Sequence, residues 1–173
     1  MITEKLIDLR GKAAVVTGAA AGIGKASAMM LARSGASVAL LDRNYDAAAL
    51  SASEIASECG VQTKAYRCDV LAELDSEAVI EEAARDFGVI NIAGGGGGGR
   101  EIFDGLTDDY LNKIFGLNVY SIFRFSRLCL PHMKRAGYGS IINISSMASV
   151  MSSVNMSVYS ASKAAVNALT RQM

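Results

Sequence analysis

Tyr159 and Lys163 stand four residues apart in the stretch VYSASKAAVNAL near the end of the chain. Alanine, leucine and asparagine favour a helix there, and four positions along a helix return to the same face. A phenol and an ammonium therefore project side by side. On a solvated helix such a pair contributes little, so chemistry requires other residues to converge on it. A phenol ordinarily titrates near 10, and base work near neutrality takes roughly 4 kcal/mol of preference for the phenolate. A cation one helical turn away, in a site shielded from water, helps supply that preference. The pair is thus equipped to move one proton on or off an oxygen.

A second constellation lies at the other end of the chain. The apolar run KAAVV leads directly into TGAAAGIGK, with Gly18, Ile23 between Gly22 and Gly24, and a G-x-x-x-G-x-G spacing. A dinucleotide pyrophosphate needs close backbone approach and the positive end of a helix dipole, which glycines at a strand-to-helix turn provide. A tight turn with no ligand is the alternative, and its placement between first strand and first helix favours the ligand. Asp42 follows eighteen residues beyond Gly24, at the end of the next apolar run. A carboxylate there accepts hydrogen bonds from the adenosine ribose hydroxyls and repels a 2′-phosphate, which favours NAD over NADP. Asp42 would serve equally as a helix cap, and Arg43 beside it leaves room for the phosphorylated cofactor.

The elements that must hold these residues alternate along the chain. KAAVVTG, ASVALLDR and QTKAYRCDV read as short strands, and GKASAMMLARSG, AALSASEIASECG and SEAVIEEAARDFG as helices with apolar faces. Next come a glycine run at 94–99, a long helical stretch from about Thr107 to Lys134, the strand SIINISS, a loop, and the helix of Tyr159. Strands separated by helices of this length imply right-handed crossovers and a parallel sheet covered on both faces. The reading is one α/β doubly wound domain of Rossmann type over residues 1–173, with strand order 3-2-1-4-5.

Bulk composition narrows the function classes. A chain of 173 residues with 51% hydrophobic and 20% charged residues suits one globular domain. Lysine plus arginine equals aspartate plus glutamate, so there is no net basic field to draw the protein to nucleic acid or an acidic membrane. No run has the length of a signal peptide or a membrane span. Cys59, Cys68 and Cys129 lie far apart and are odd in number, which reads as reduced thiols in a cytoplasmic protein, with Cys68 buried in a strand. His132 has no second ligand at metal-binding spacing, so no metal is expected.

With TGAAAGIG, CDV, NIAG, LNV, Ser146 and YSASK in this order, the chain resembles the short-chain dehydrogenase/reductase family over nearly its whole length. The run AGGGG before FD, and SSMAS before NMSVYSASK, are most similar to bacterial hydroxysteroid dehydrogenases of the 7α type. The resemblance implies an oxidoreductase that interconverts a secondary alcohol and a ketone with NAD, NADP being less favoured. It implies a catalytic set of Asn118, Ser146, Tyr159 and Lys163. Ser146 would hydrogen-bond the substrate oxygen as charge develops, Lys163 would also donate to the nicotinamide ribose, and Asn118 would hold a water that relays protons from Lys163. Asn118 has an alternative use, satisfying backbone in a kinked helix. Asp69 would contact adenine, though it would equally cap the next helix, and Val70 beside it would join the cofactor-binding set. Asn91, Ala93 and Gly94 would lay backbone beside the cofactor. Family members pair their long helices, here with Leu111, Phe115, Phe123 and Leu128, into homodimers or homotetramers, while ordinary core packing explains the same residues.

The sequence also departs from the family. FGVINIAG leaves Val89 and Ile90 before the N-x-A-G motif, so a fourth strand too short to span the sheet is expected, with a distorted crossover or absent residues. Ile92 stands where the family usually has asparagine. The chain stops at RQM, inside the helix of Tyr159, so the domain is expected to be C-terminally incomplete, to lack the family's last two strands, and to expose apolar sheet edge. From a different class, a non-catalytic dinucleotide-binding or assembly module competes with the enzyme.

Overall fold

The computed structural model describes residues 7–87, 90–94 as backbone, 101–151 and 154–173. Strands β1 (Ala13–Thr17), β2 (Ser37–Asp42), β3 (Thr63–Arg67), β4 (Ile90–Gly94) and β5 (Ile141–Asn143) form a parallel sheet of order β3-β2-β1-β4-β5 among the described residues. This is the expected doubly wound order. Helices α1 (Gly22–Arg33), α2 (Tyr45–Cys59) and α3 (Glu73–Phe87) supply the first crossovers. Successive residues of β1 and β2 point to opposite faces, and both faces are buried, which is why these strands read as unbroken apolar runs. Val16, Val38 and Leu40 pack with Ala28, Ala32 and Ile55 on the side of α1 and α2. Val15, Ala39 and Leu41 pack with Ile80, Phe125 and Cys129 on the other.

The long helical stretch is broken. Helix α4 (Asp108–Phe115), capped by Thr107 accepting from Tyr110 N at 3.2 Å, runs into a π turn (Gly116–Tyr120) before α5 (Ser121–Ala136). The π turn inserts an extra residue into the helical ladder and re-aims the side chains around Asn118. Helix α6 (Ser157–Thr170) packs against both α4 and that turn.

Three expectations are corrected. The fourth strand spans the sheet after all, because the N-x-A-G motif is itself the strand: Ala13 to Val16 pair with Ile90 to Ala93. Its five residues equal those of β1. Whether the crossover before it is distorted concerns residues 88–89, which lie outside the described residues, as do residues 95–99 of the glycine run. Strand β5 is shorter than SIINISS, because β4 offers it three partners, Ile92, Ala93 and Gly94. Ser146 therefore sits in the loop beyond β5 rather than at the strand's end. Cys68 is buried as expected, but one residue past β3.

The three thiols are unbridged, and burial pushes Cys68 up to about 11 and Cys129 up to about 12. Among the described residues no helix is long and apolar enough to cross a membrane. His132 contacts Glu81 and Arg135. Of the four helix residues named for pairing, Phe123 is exposed while Leu128 packs on the core. Ile142 on β5 is also exposed.

Candidate active site

The strand order reverses between β1 and β4, and the loops that leave the carboxyl ends of the strands there open a crevice. The glycine turn forms one wall. Gly18 and Gly22 have φ of +66° and +56°, a conformation that side chains disfavour. A Cβ on Gly24 would lie 2.1 Å from Gly18 O, so α1 docks on β1 closely enough that glycine is required. Helix α1 begins after Ala21, which has no side chain able to cap it, so the first-turn N–H groups of α1 point outward with the positive end of the dipole. Ile23 is exposed at the same place. These features fit a pyrophosphate.

Asp42 braces the turn. Its Oδ2 accepts from Ala20 N at 3.1 Å and its Oδ1 from Asn44 N at 2.9 Å, while Ser51 Oγ donates to Ala20 O. The helix-cap alternative falls to the neighbour: Asn44, not Asp42, caps α2. Both carboxylate oxygens retain further lone pairs for a ribose hydroxyl. Arg43 is exposed alongside. Asp69 closes a turn by accepting from Leu71 N at 2.9 Å, and α3 starts beyond it at Glu73. Val70 O is held by Arg124 Nη1 at 2.6 Å. Asn91, Ala93 and Gly94 lie in the backbone of β4, with Ala93 opposite Val16.

The other wall carries the phenol and the amine. Tyr159 lies in the first turn of α6, and Lys163 Nζ sits 5.7 Å from its ring centroid. Lys163 is almost fully buried, 1% exposed, and its Nζ donates to Ile144 O at 2.9 Å. Ser145 Oγ returns a bond to Lys163 O at 3.2 Å. The segment that delivers Ser146 is thus fastened to α6 at the lysine. Ser146 opens a short turn (Met147–Ser149), with its Oγ accepting from Ala148 N at 3.2 Å. Asn118, fully buried in the π turn, donates from Nδ2 to Ser162 Oγ at 3.0 Å, and Ser162 Oγ donates to Tyr159 O at 2.7 Å. Its amide therefore reaches across to α6. Hydrogen bonds join the stretches that carry Asn118, Ser146, Tyr159 and Lys163.

Sequence reasoning missed three participants: Ser162, the carbonyl of Ile144, and Glu101. Glu101 Oε1 accepts from Val158 N at 2.6 Å and from Ser157 Oγ at 3.1 Å. Ser162 stands next to Lys163 and was open to notice. The other two carry no sequence signal.

Burial holds the Lys163 ammonium below the ordinary lysine value of 10.5. Because the folded value is lower than the unfolded one, the unfolded chain binds the extra proton between them, and stability rises as pH climbs through that window. Relative to Lys163→Met, which carries no charge to desolvate, the wild type should therefore be at its greatest disadvantage at neutral pH. It should gain on the variant as pH approaches 10.5. Thermal melts of both proteins across alkaline pH check this, and a wild type that held level or lost ground would contradict it.

A sequence model of the short chain dehydrogenase family matches residues 12–173. The 7α-hydroxysteroid dehydrogenase of Escherichia coli (strain K12) is 40% identical over all of this chain and 68% of its own length. The 7α-hydroxysteroid dehydrogenase of Clostridium sardiniense is 34% identical over 95% of this chain and 64% of its own length. A solved 7α-hydroxysteroid dehydrogenase complexed with NADH and 7-oxo glycochenodeoxycholic acid superposes with a TM-score of 0.91 at 40% identity, over 96% of this chain and 65% of that one. A NAD⁺-bound xylitol dehydrogenase gives 0.89 at 34% identity, over 95% and 64%. The chain spans about two thirds of the length of these relatives.

Proposed function

Because this chain belongs to the short chain dehydrogenase family, we propose that it serves as a NAD-dependent oxidoreductase interconverting a secondary alcohol and a ketone. The observation that carries the reading is the buried Lys163 ammonium beside the Tyr159 ring, fastened to the segment that ends at Ser146. Bound NAD supplies the hydride acceptor in oxidation and, reduced, the donor in the reverse direction.

The chain's own residues handle binding, orientation and one proton. Gly18, Gly22, Ile23 and Gly24 present backbone and the α1 dipole to the pyrophosphate. Asp42 takes the adenosine ribose hydroxyls, with Arg43 beside it. Asp69 and Val70 flank the adenine, and Asn91, Ala93 and Gly94 lay strand backbone along the cofactor. Tyr159 removes the proton of the alcohol hydroxyl, or returns it to the ketone oxygen. Lys163 stabilises the phenolate through its charge and positions the nicotinamide ribose. Ser146 donates to the substrate oxygen. Asn118 holds Ser162 against the Tyr159 backbone and borders the proton path from Lys163.

The substrate is proposed to be bulky and apolar, as a hydroxysteroid is. Ile102 and Phe103 on one loop, and Met147, Val150 and Val154 on the loop before α6, are all more than half exposed. Glu101 N donates to Asn155 O at 2.8 Å and joins the two loops. The reduced thiols suit a cytoplasmic setting, and exposed Tyr120 and Phe123 suit assembly into a homodimer or homotetramer.

The test is growth of the reduced-nicotinamide absorbance band with NAD and a panel of secondary alcohols, apolar and polyhydroxylated, which should favour the apolar ones. Cofactor choice has its own check. Asp42→Ser should lower the ratio of kcat/KM with NAD to that with NADP about tenfold or more, since a charge-assisted hydrogen bond and a repulsion both disappear. An unchanged ratio would remove Asp42 from the ribose site.

A further inference from the structure

Glu101 is a buried carboxylate that the mechanism leaves unused, 8% exposed and separated by 57 residues from the amide it contacts. Helix α6 is preceded by Met156, whose side chain cannot cap it. The missing acceptor comes from Glu101 instead: Oε1 takes both Val158 N at 2.6 Å and Ser157 Oγ at 3.1 Å. A carboxylate at this end also complements the helix dipole. In return Glu101 N donates to Asn155 O at 2.8 Å, just where the chain enters the helix with Asn155 at φ +57°. The second oxygen, Oε2, is buried with no hydrogen-bond partner among the described residues. A buried carboxylate oxygen left unmatched is unfavourable, so its retention calls for a structural or functional reason.

We infer that Glu101 is a positioning residue for the reaction proposed above, clamping the first turn of α6 so that the Tyr159 hydroxyl faces the substrate oxygen. The inference rests on that oxidoreductase reading. Tyr159 follows Val158 directly, and the Lys163 bond to Ile144 O pins the same helix one turn further on. The two anchors fix the rotation and the height of the phenol together. A shift of the order of 1 Å in such a group can slow chemistry about a hundredfold, and cofactor binding at the far wall does not depend on it.

Three variants of the intact protein test this: Glu101→Ala, which deletes both acceptors; Glu101→Asp, which is too short to reach Val158 N; and Glu101→Gln, which keeps an acceptor oxygen. Glu101→Ala is expected to lower kcat about tenfold or more while the KM for NAD stays within about twofold, and Glu101→Gln to recover kcat to within about twofold of the wild type. If the alanine variant does not fold, the aspartate variant should show the same loss in kcat. Hydrogen–deuterium exchange without substrate should show faster exchange at Val158 and Tyr159 in the alanine and aspartate variants, and wild-type rates in the glutamine variant. Normal kcat in the alanine or aspartate variant would overturn the inference. So would equal impairment in the glutamine variant, or unchanged exchange in all three. The exchange experiment decides the clamp even if the wild type turns over no alcohol, an outcome that would count against the oxidoreductase reading instead.

Discussion

Tyr159→Phe is expected to reduce turnover of a secondary alcohol by about a thousandfold or more, while NAD binding stays within about twofold of the wild type. The substitution removes one oxygen and leaves the ring. The contact between the ring and Lys163 Nζ, 5.7 Å from its centroid, survives. So do the helix and its bonds to Asn118 and Ile144, because the Tyr159 atom in that network is the main-chain carbonyl that takes Ser162 Oγ. What disappears is the group that exchanges a proton with the alcohol, and no other titratable side chain is placed beside it in the same turn of α6. Steady-state kinetics together with cofactor-binding fluorescence separates the two quantities. A variant that kept more than a tenth of wild-type kcat would assign the proton transfer to another group.

The second large effect belongs to the opposite wall. Gly24→Ala puts a methyl group 2.1 Å from Gly18 O and 2.7 Å from Gly18 C, and both are main-chain atoms that cannot swing aside. Relief requires the β1–α1 turn to open, which moves the N–H groups of the helix start away from the crevice. NAD affinity should fall about a hundredfold or more, and overpacking should destabilise the fold by about 1–3 kcal/mol. Gly105→Ala is the control, because a Cβ there meets nothing within 4 Å and the backbone is not left-handed. That variant should bind NAD normally and melt within about 2 °C of the wild type. Calorimetry and cofactor titration measure both. Normal NAD affinity in Gly24→Ala would mean that the glycine turn only packs the helix and holds no pyrophosphate.

Strand order and the placement of the chemistry were legible because each rests on local pattern. Apolar runs buried on both faces, glycine stops and helical spacing placed β1, β2, α1 and α3 to within a few residues. Helix periodicity put Tyr159 and Lys163 on one face, and the structure sets the amine against the ring. The legible part ended where partners rather than patterns decide. The length of β5 is set by the residues β4 exposes to it, and Ile144 just beyond that point is as apolar as Ile141 and Ile142 within it. The residues Ile90 to Gly94 pair as a strand whatever their role in a motif, so counting the residues ahead of the motif misjudged it. The π turn at Asn118 is a change in helical register that no spacing of apolar residues announces, although kinking there was one reading of that asparagine. The Glu101 clamp joins parts of the chain that periodicity treats as unrelated.

The most direct measurement of the central claim is the fate of a deuteron. With NADH deuterated on the transferable side of the nicotinamide, reduction of an apolar ketone by the wild-type protein should yield a secondary alcohol one mass unit heavier, labelled on the carbinol carbon. The Tyr159→Phe protein, with the same cofactor bound, should yield almost none. Firm NAD binding by the wild type with no labelled alcohol from any ketone would contradict the account, and would make this a fold that holds a dinucleotide without using it.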